Sequence, residues 1–262
     1  MFRVGETLVL RLPRRGEGVR TTNAEHVILP LLPELLSRHP HRLGTPTLLH
    51  QGRPTSYFGR PWSLLAWLPG ESLFESQVNE TSTLLEQLTS FLTELHRPAP
   101  EDAPANPHRG GPLATRTAAM AEHLRSLEDS VEHLEVGKSQ IEATWHGLRA
   151  TESWNGPGVW LHGDLHPGNM LAVNGQLSGI IDWGDACSGD PATDLAVAWM
   201  LFDEGGRTAF KRSLEQAGHP VDEAMWQRSR AWALSLALAH AAALNEPRHQ
   251  KFGHMVIKNV VG

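Results

Sequence analysis

Short runs of alternating apolar and polar residues dominate the first seventy positions of the chain. In FRVGETLVLRLP, this alternation stands on both sides of a GET turn, which predicts two short strands. TPTLLHQG and WSLLAWLPG predict two more strands, and Pro69–Gly70 ends the second of them. Between these pairs, residues 21–39 have a helical spacing that Pro30 and Pro33 interrupt. The N-terminal part is therefore predicted to be a small sheet with one kinked helix.

The rest of the chain is predicted to be mainly helical, because its apolar residues recur at intervals of three and four positions. The Pro- and Gly-rich segment 97–112 is predicted to be a loop or linker. The predicted helices cover residues 78–96, 114–127, 138–150, 192–202, 207–218 and 223–245, and the last is apolar on all sides and so expected to be buried. The patterns predict an α+β protein with a small β-rich N-terminal lobe, residues 1–69, and a larger helical C-terminal lobe, residues 70–262.

Candidate chemistry is concentrated in GVWLHGDLHPGNMLAVNGQLSGIIDWGDA. This segment predicts a short strand, a rigid loop and a hairpin that turns at Asn174–Gly175. The hairpin would bring Asp182 back beside Asn169, so that a carboxylate and an amide oxygen converge as a hard cation such as Mg²⁺ requires. Asp164 would remain nearby as a carboxylate able to orient a hydroxyl and accept its proton. This arrangement suits phosphoryl transfer, which depends on positioning and charge neutralisation.

The two pieces of this segment resemble the aminoglycoside phosphotransferase family, a branch of the protein-kinase-like fold. HGDLHPGN is similar to the kinase catalytic loop H-R-D-x-x-x-x-N, and IIDWGDACSGDPATDLA is similar to the D-F-G metal-binding segment. The two motifs agree with the family in order, spacing and flanking strands. VLRLPRR is similar to the strand that carries the phosphate-contacting basic residue, and PWSLLAWLPGESL is similar to the inter-lobe hinge. The resemblance covers the whole chain.

The resemblance implies a role for each matching residue. Asp164 would be the catalytic base, and Asn169 and Asp182 would hold Mg²⁺. Backbone groups at the hinge would meet the base of ATP or GTP, and an arginine paired with a helix glutamate would contact the phosphates. These nucleotide-binding positions are Ala66, Trp67, Leu68, Arg11 and Glu25.

Several polar residues near the motifs have less specific roles. His162 is expected to hold the loop by hydrogen bonding, and His166 to lie near the phosphates or the acceptor. Asp185 either lies near the metal or faces solvent, and the sequence leaves both open. Asp190 and Asp194 are expected to brace the loop or cap the following helix. The tryptophans are expected to pack mainly in the core or hinge. Trp67 could stack near the nucleotide base, but core packing is the favoured role for it.

Two features depart from the family's pattern. Arg11 occupies a position at which the family usually has lysine or arginine, and a guanidinium binds phosphate with a geometry unlike that of an ammonium group. The family also has a first strand and a phosphate-covering loop before the strand that MFRVGETL resembles, and these are expected to be missing here. Their absence would leave the nucleotide phosphates less covered, which would weaken binding and slow transfer.

Composition and charge narrow the function further. The net charge of −6 gives no support for nucleic-acid binding, and no apolar run is long enough for a signal peptide or a membrane span. The single cysteine suits a reducing compartment, so a cytoplasmic protein is expected. Between Thr151 and Gly205 there are eight acids and no lysine or arginine, which favours a cationic acceptor such as an aminoglycoside. Choline-like, sugar and amino-alcohol acceptors remain open, and the oligomeric state is not predicted.

Two other classes of function remain open beside the small-molecule kinase. A non-catalytic kinase-like binding protein would explain the missing N-terminal segment, although Asp164, Asn169 and Asp182 are all in place. A metallohydrolase would use the H-x-D-x-H residues of HGDLH as transition-metal ligands. That alternative needs further ligands, for which His240, His249 and His254 are the candidates, and it leaves Asn169 and IIDWGD unexplained.

Overall fold

The protein is described by a computed structural model that covers residues 1–38, 43–127, 136–243 and 246–262. The strands are β1 Phe2–Val4, β2 Leu8–Arg11, β3 Leu48–Gly52, β4 Trp62–Ala66, β5 Glu71–Ser72, β6 Val159–Leu161, β7 Met170–Val173, β8 Gln176–Ile180 and β9 Cys187–Gly189. The α-helices are α1 Glu17–Ile28, α2 Leu32–Leu35, α3 Thr81–Leu95, α4 Thr117–Ser126, α5 Lys138–Leu148, α6 Ala192–Leu195, α7 Val197–Leu201, α8 Glu204–Gln216, α9 Glu223–Ala241 and α10 Pro247–Val261.

The N-terminal part is an antiparallel sheet with the strand order β1-β2-β4-β3. Val9 pairs with Leu65 at the centre of the sheet, and both side chains are buried. The predicted kink is present, because α1 ends just before Pro30 and the short α2 contains Pro33 near its start. The small β-rich part is therefore confirmed, with the helix beginning at Glu17, before the predicted start.

The C-terminal part is mainly helical and surrounds two small sheets. β5, β7 and β8 form one sheet, and β6 pairs with β9 in the other. The turn of the β7–β8 hairpin lies at Asn174 and Gly175, both with positive φ, as the Asn-Gly pair predicts. α9 lies at the centre, with buried residues on every side. The α+β class is confirmed, and no helix in the described ranges is long and apolar enough to cross a bilayer.

Buried residues from both sides of position 70 belong to one continuous apolar cluster. α1 packs closely on the 3₁₀ turn Trp183–Asp185, which follows β8 in the C-terminal part. This contact places the first helix beside the segment that resembles the metal-binding motif.

Some predicted boundaries differ from the structure. The helix predicted to start at residue 114 opens with a 3₁₀ turn, Leu113–Arg116, directly after Pro112. The helix predicted over 192–202 is interrupted at Ala196, whose backbone keeps helical angles. Three residues of the predicted helices lie outside the described residues. They are the last residue of helix 21–39 and the last two residues of helix 223–245.

A buried ion pair joins α9 to the start of α6. Arg228 Nε donates to Asp190 Oδ2 at 2.7 Å, and Asp190 Oδ1 also accepts from the backbone N–H of Ala192. Arg228→Met would leave the Asp190 charge buried without its counterion, so we expect a loss of about 3–5 kcal/mol of unfolding free energy. Lys211→Met, which breaks a surface pair with Glu223, is the control and should cost at most about 1 kcal/mol. Urea denaturation measures both, and equal losses would contradict a structural role for the buried pair.

Candidate functional site

The loop between β6 and β7 is fixed by the carboxylate of Asp194. This side chain accepts the backbone N–H groups of His162 and Gly163 at 2.7 and 2.8 Å. Gly163 has a φ of +82°, and a Cβ at this position would lie 2.3 Å from the carbonyl oxygen of Asp185. The loop is thus held tightly against the segment after β8, and Asp164 is carried on it. Asp194 therefore braces the loop, which is one of the two roles that the sequence predicted for it.

His162 is fully buried beneath this loop. Its Nε2 donates to the carbonyl oxygen of Ile181 at 3.0 Å, and its Nδ1 accepts the backbone N–H of Asp164 at 3.3 Å. Both ring nitrogens are therefore used to join the loop to the end of β8. His162 thus holds the loop by hydrogen bonds, as the sequence analysis predicts.

The hairpin brings Asn169 and Asp182 side by side. Ile181 donates its N–H to the carbonyl oxygen of Asn169 at 2.9 Å, and Asp182 follows in the left-handed region with a φ of +62°. Asp182 and Asn169 line one cavity of about 690 Å³ together with Asp164. The three residues therefore border one shared space, as the predicted hairpin requires.

The donor set around this space fits a hard cation. The Asn169 amide nitrogen donates to the backbone oxygen of Asp164 at 2.9 Å, which leaves the amide oxygen as the group able to ligate. Asp182 is 43% exposed and contacts Arg11 through Oδ1. An amide oxygen and a carboxylate oxygen are ligands that Mg²⁺ accepts in proteins, with water and substrate oxygens completing its shell.

Arg11 lies between two acids. Its Nη1 contacts Glu25 Oε1 at 2.5 Å and Asp182 Oδ1 at 3.0 Å. The predicted pairing of Arg11 with Glu25 is therefore present, and it extends to Asp182. Burial raises the pKa of Glu25 to about 7 in spite of the nearby Arg11 charge, and its Oε2 is buried with no hydrogen-bond partner in the described part of the chain. Arg11 therefore links α1 to the segment that follows β8.

A second cavity, of about 320 Å³, lies where β4 leads into the C-terminal part. Its lining includes Ala66, Trp67, Leu68, Val9, Leu65, Leu171, Ile181, Arg11, Glu25 and Asp182. Asp182 therefore lines both cavities. The N–H groups of Ala66 and Trp67 donate to Thr47 and Thr7, so neither is open to a ligand.

Trp67 is not a core residue, which corrects the expectation for it. Its side chain is 39% exposed, and the guanidinium of Arg3 lies 4.4 Å from its ring centroid. Strand alternation would put Trp67 on the same face as buried Leu65, but Trp67 lies one residue beyond the end of β4, where that face is no longer covered. The ring forms part of the second cavity's rim.

Asp185 does not line the shared cavity, and its side chain is 20% exposed. Arg20 on α1 donates to its Oδ1 at 2.7 Å, and Asn106 donates to the same oxygen at 2.9 Å. Arg109 Nη2 lies 3.5 Å from its Oδ2. The carboxylate is held by side chains from two distant parts of the chain.

Arg109 is a residue of the site that the sequence did not reveal. Its Nη2 donates to Asp164 Oδ1 at 3.0 Å, and it comes from the segment 97–112 that was predicted to be a loop or linker. On the other side, His166 Nε2 lies 3.6 Å from Asp164 Oδ2. Burial alone would raise the pKa of Asp164, but the charge of Arg109 and the contact with His166 hold that pKa well below its usual value. Asp164 is therefore a charged carboxylate at neutral pH.

Rings from four parts of the chain form a wall of the larger cavity. His166 stacks on Phe74 with a centroid distance of 5.6 Å, and His240 on α9 stacks on His249 of α10 at 5.0 Å. His240 Nδ1 and His249 Nδ1 share a hydrogen bond of 2.8 Å. Burial and the neighbouring His166 lower the pKa of His240 to about 3, so His240 is neutral.

These imidazoles do not form the metal site that a hydrolase would need. His240 and His249 do approach HGDLH, but His254 is not among the residues that line this cavity. Over the described ranges, no group of three or more His, Cys, Asp or Glu side chains is placed to hold a metal ion. The geometry favours oxygen ligands at Asn169 and Asp182 over a histidine cluster.

Comparison with known proteins finds kinases and phosphotransferases among the relatives of this chain. The homoserine kinase of Gluconobacter oxydans is 31% identical over 156 residues, covering 55% of this chain and 45% of the relative. An aminoglycoside 3′-phosphotransferase of Escherichia coli is 26% identical over 160 residues, covering 60% of this chain and 58% of the relative. The chain thus spans about half the length of these two curated relatives.

The fold is also found among solved structures. The GDP complex of wild-type aminoglycoside 2′-phosphotransferase-IIIa has a TM-score of 0.63 and 18% sequence identity, with 98% of this chain and 87% of that chain covered. The protein-kinase-like α+β fold is therefore confirmed. The model of the phosphotransferase enzyme family matches residues 1–232, which is most of the chain, and so this protein belongs to the phosphotransferase enzyme family.

Proposed function

We propose that this protein is a small-molecule kinase that transfers the γ-phosphate of ATP or GTP to a hydroxyl group. The observation that carries the proposal is the position of Asp182 in the lining of both cavities. A nucleotide in the smaller cavity would direct its phosphates toward Asp182, and an acceptor in the larger cavity would meet them beside Asp164. Phosphoryl transfer requires an in-line arrangement of donor and acceptor, and two cavities that share Asp182 would allow one.

The smaller cavity suits a nucleoside. Val9, Leu65 and Leu171 supply apolar surface for the base. Because the N–H groups of Ala66 and Trp67 are already bound, the hinge offers Leu68 and its neighbouring carbonyl groups for polar contacts. We propose that the lobes 1–69 and 70–262 meet at this hinge and that Arg11, paired with Glu25, contacts the phosphates.

Asp164 has the properties of the residue that receives the hydroxyl proton. It is charged, held from both sides and directed at the shared cavity. In the proposed step the acceptor oxygen forms a bond to the γ-phosphorus, and the bond from that phosphorus to the β,γ-bridging oxygen breaks. The proton passes to Asp164, and the nucleoside diphosphate leaves. Mg²⁺ held by Asn169 and Asp182 would supply charge neutralisation on the phosphates.

The acceptor is proposed to have a ring or apolar face and few charges. Half of the eight acids of the middle segment contact arginines from elsewhere, namely Asp164, Asp182, Asp185 and Asp190. The negative charge that favoured a cationic acceptor is therefore partly neutralised inside the protein. The stacked rings of the wall described above offer a flat surface, as sugar-binding sites often do.

A transfer screen tests the proposal. Release of ADP and GDP would be measured with hydroxylated acceptors that are uncharged, cationic or zwitterionic, in the presence and absence of Mg²⁺. We expect Mg²⁺-dependent release that requires an acceptor and is fastest with acceptors of low charge. Asp164→Asn should lose most of this release, and Asp203→Asn, which changes a helix cap outside both cavities, is its matched control. If ADP or GDP is released at the same rate without acceptor and without Mg²⁺, the proposed kinase activity is contradicted.

The two alternatives give different results in the same screen. A kinase-like binding protein would bind nucleotide but release no diphosphate with any acceptor. A metallohydrolase would purify with stoichiometric zinc and lose activity with a zinc-selective chelator. The oxygen ligands at Asn169 and Asp182 and the match to the phosphotransferase enzyme family favour the kinase over both.

A further inference from the structure

Arg109 occupies a position that the proposed mechanism has not yet used. Its side chain is 15% exposed, and its Nη2 is shared between Asp164 at 3.0 Å and Asp185 at 3.5 Å. Its Nη1 donates to the carbonyl oxygen of His108. One guanidinium nitrogen therefore lies between the proposed proton acceptor and a second acid that would otherwise repel it.

The segment that carries Arg109 is fixed to the protein in spite of its Pro- and Gly-rich sequence. Asp190 donates its N–H to the carbonyl oxygen of Gly110 at 2.9 Å, and Ser188 donates to Pro104 at 3.0 Å. Gly110 has a φ of +71°, and a Cβ there would lie 3.1 Å from the Cα of Gly189. These contacts attach the segment along β9, so Arg109 projects from a firm support.

A chain of charged contacts continues from Arg109 to the N-terminal lobe. Asp185 Oδ1 accepts from Arg20, which lies on α1, and Asn106 holds the same oxygen from the side of the 97–112 segment. The order of contacts is Arg20, Asp185, Arg109 and Asp164. The helix that carries Glu25 is thereby connected to the proposed proton acceptor.

We infer that Arg109 is a positioning residue that fixes the Asp164 carboxylate toward the acceptor cavity, with Asp185 and Arg20 fixing Arg109 in turn. The inference rests on the proposed kinase function. Arg109 does not line the acceptor cavity, so it acts through Asp164 and not by contacting substrate. The guanidinium suits this place because its Nη2 lies within 3.5 Å of both carboxylates while its Nη1 is held by the carbonyl oxygen of His108.

The test compares Arg109→Met with Arg109→Lys and with Arg116→Met. Arg116 is a buried arginine of the same region that donates to Ser235 and has no carboxylate partner in the described residues, so it matches the loss of a buried cation. We expect Arg109→Met to lower kcat by about 10- to 100-fold with little change in the KM for nucleotide, because small misplacements of a catalytic group have effects of this size. Arg109→Lys should recover part of the loss, and Arg116→Met should keep the kcat of the parent protein.

Two results would overturn the inference. One is an Arg109→Met protein with the parent kcat; the other is an equal loss in Arg116→Met, which would indicate a general structural effect. A crystal structure of Arg109→Met gives a readout that needs no activity. It should show Asp164 displaced from its present orientation, and an unmoved Asp164 would refute the positioning role. If the parent protein transfers no phosphate while Asp164 does move, the kinase proposal fails and the positioning role stands.

Discussion

Replacing Asp164 with asparagine is expected to lower turnover by about 10²–10⁴-fold, the usual contribution of a general base. Asparagine keeps the size of the side chain, and its amide oxygen can still accept the hydrogen bond from Arg109. It has no carboxylate to take up the proton of the attacking hydroxyl. Asp164 does not line the smaller cavity, so nucleotide affinity should change little.

Initial rates and nucleotide titrations on Asp164→Asn, the parent protein and the Asp203→Asn control measure this effect. Loss of kcat with an unchanged nucleotide Kd is the predicted pattern. Near-parental turnover in Asp164→Asn would remove the central residue of the proposed mechanism. A large loss of affinity would instead place Asp164 among the nucleotide-binding residues.

Asp182→Asn is expected to act mainly on binding. This substitution removes one charged oxygen from the proposed Mg²⁺ site and from Arg11, and losing a charged contact costs about 1.5–3 kcal/mol. That range corresponds to roughly a 10- to 100-fold rise in the Kd of the Mg²⁺–nucleotide complex. Asparagine tolerates the left-handed backbone that Asp182 adopts, so the local fold should persist.

Calorimetric titration of ATP and GTP with and without Mg²⁺ tests this expectation. In the parent protein Mg²⁺ should strengthen binding, and in Asp182→Asn that gain should shrink. Asp222→Asn, which changes the cap of α9 far from both cavities, is the matched control. Equal dependence on Mg²⁺ in the parent and Asp182→Asn proteins would contradict the assignment of Asp182 as a metal ligand.

Local patterns were enough to predict much of the fold. The alternating strands, the Asn174–Gly175 turn and the proline interruptions of the first helix depend on neighbouring residues, and all are present. α10 was not predicted, although Pro247 at its start and apolar residues at Phe252, Val256 and Val260 are a helical signal. β5 and β9 are too short to show a period, and their strand structure depends on pairing with β7 and β6.

The candidate site likewise has features that the sequence predicts and features that it does not. The convergence of Asn169 and Asp182 follows from a hairpin of known register, so the sequence predicts it. The pairing of Arg109 with Asp164 joins residues 55 positions apart through a loop without periodicity, and no local pattern indicates it. Similarly, the acidic middle segment is partly compensated by Arg11, Arg20 and Arg228, which the linear charge pattern cannot show. Charge runs therefore overstate the field that a ligand meets in the folded protein.

The most direct test of the central claim is ³¹P NMR of the parent protein with Mg²⁺, ATP or GTP, and the acceptor that performs best in the screen. We predict a new phosphomonoester signal that grows as the γ-phosphate signal falls and that is absent or strongly slowed in Asp164→Asn. Appearance of the γ-phosphate only as inorganic phosphate, at the same rate in both proteins, would contradict transfer at this site.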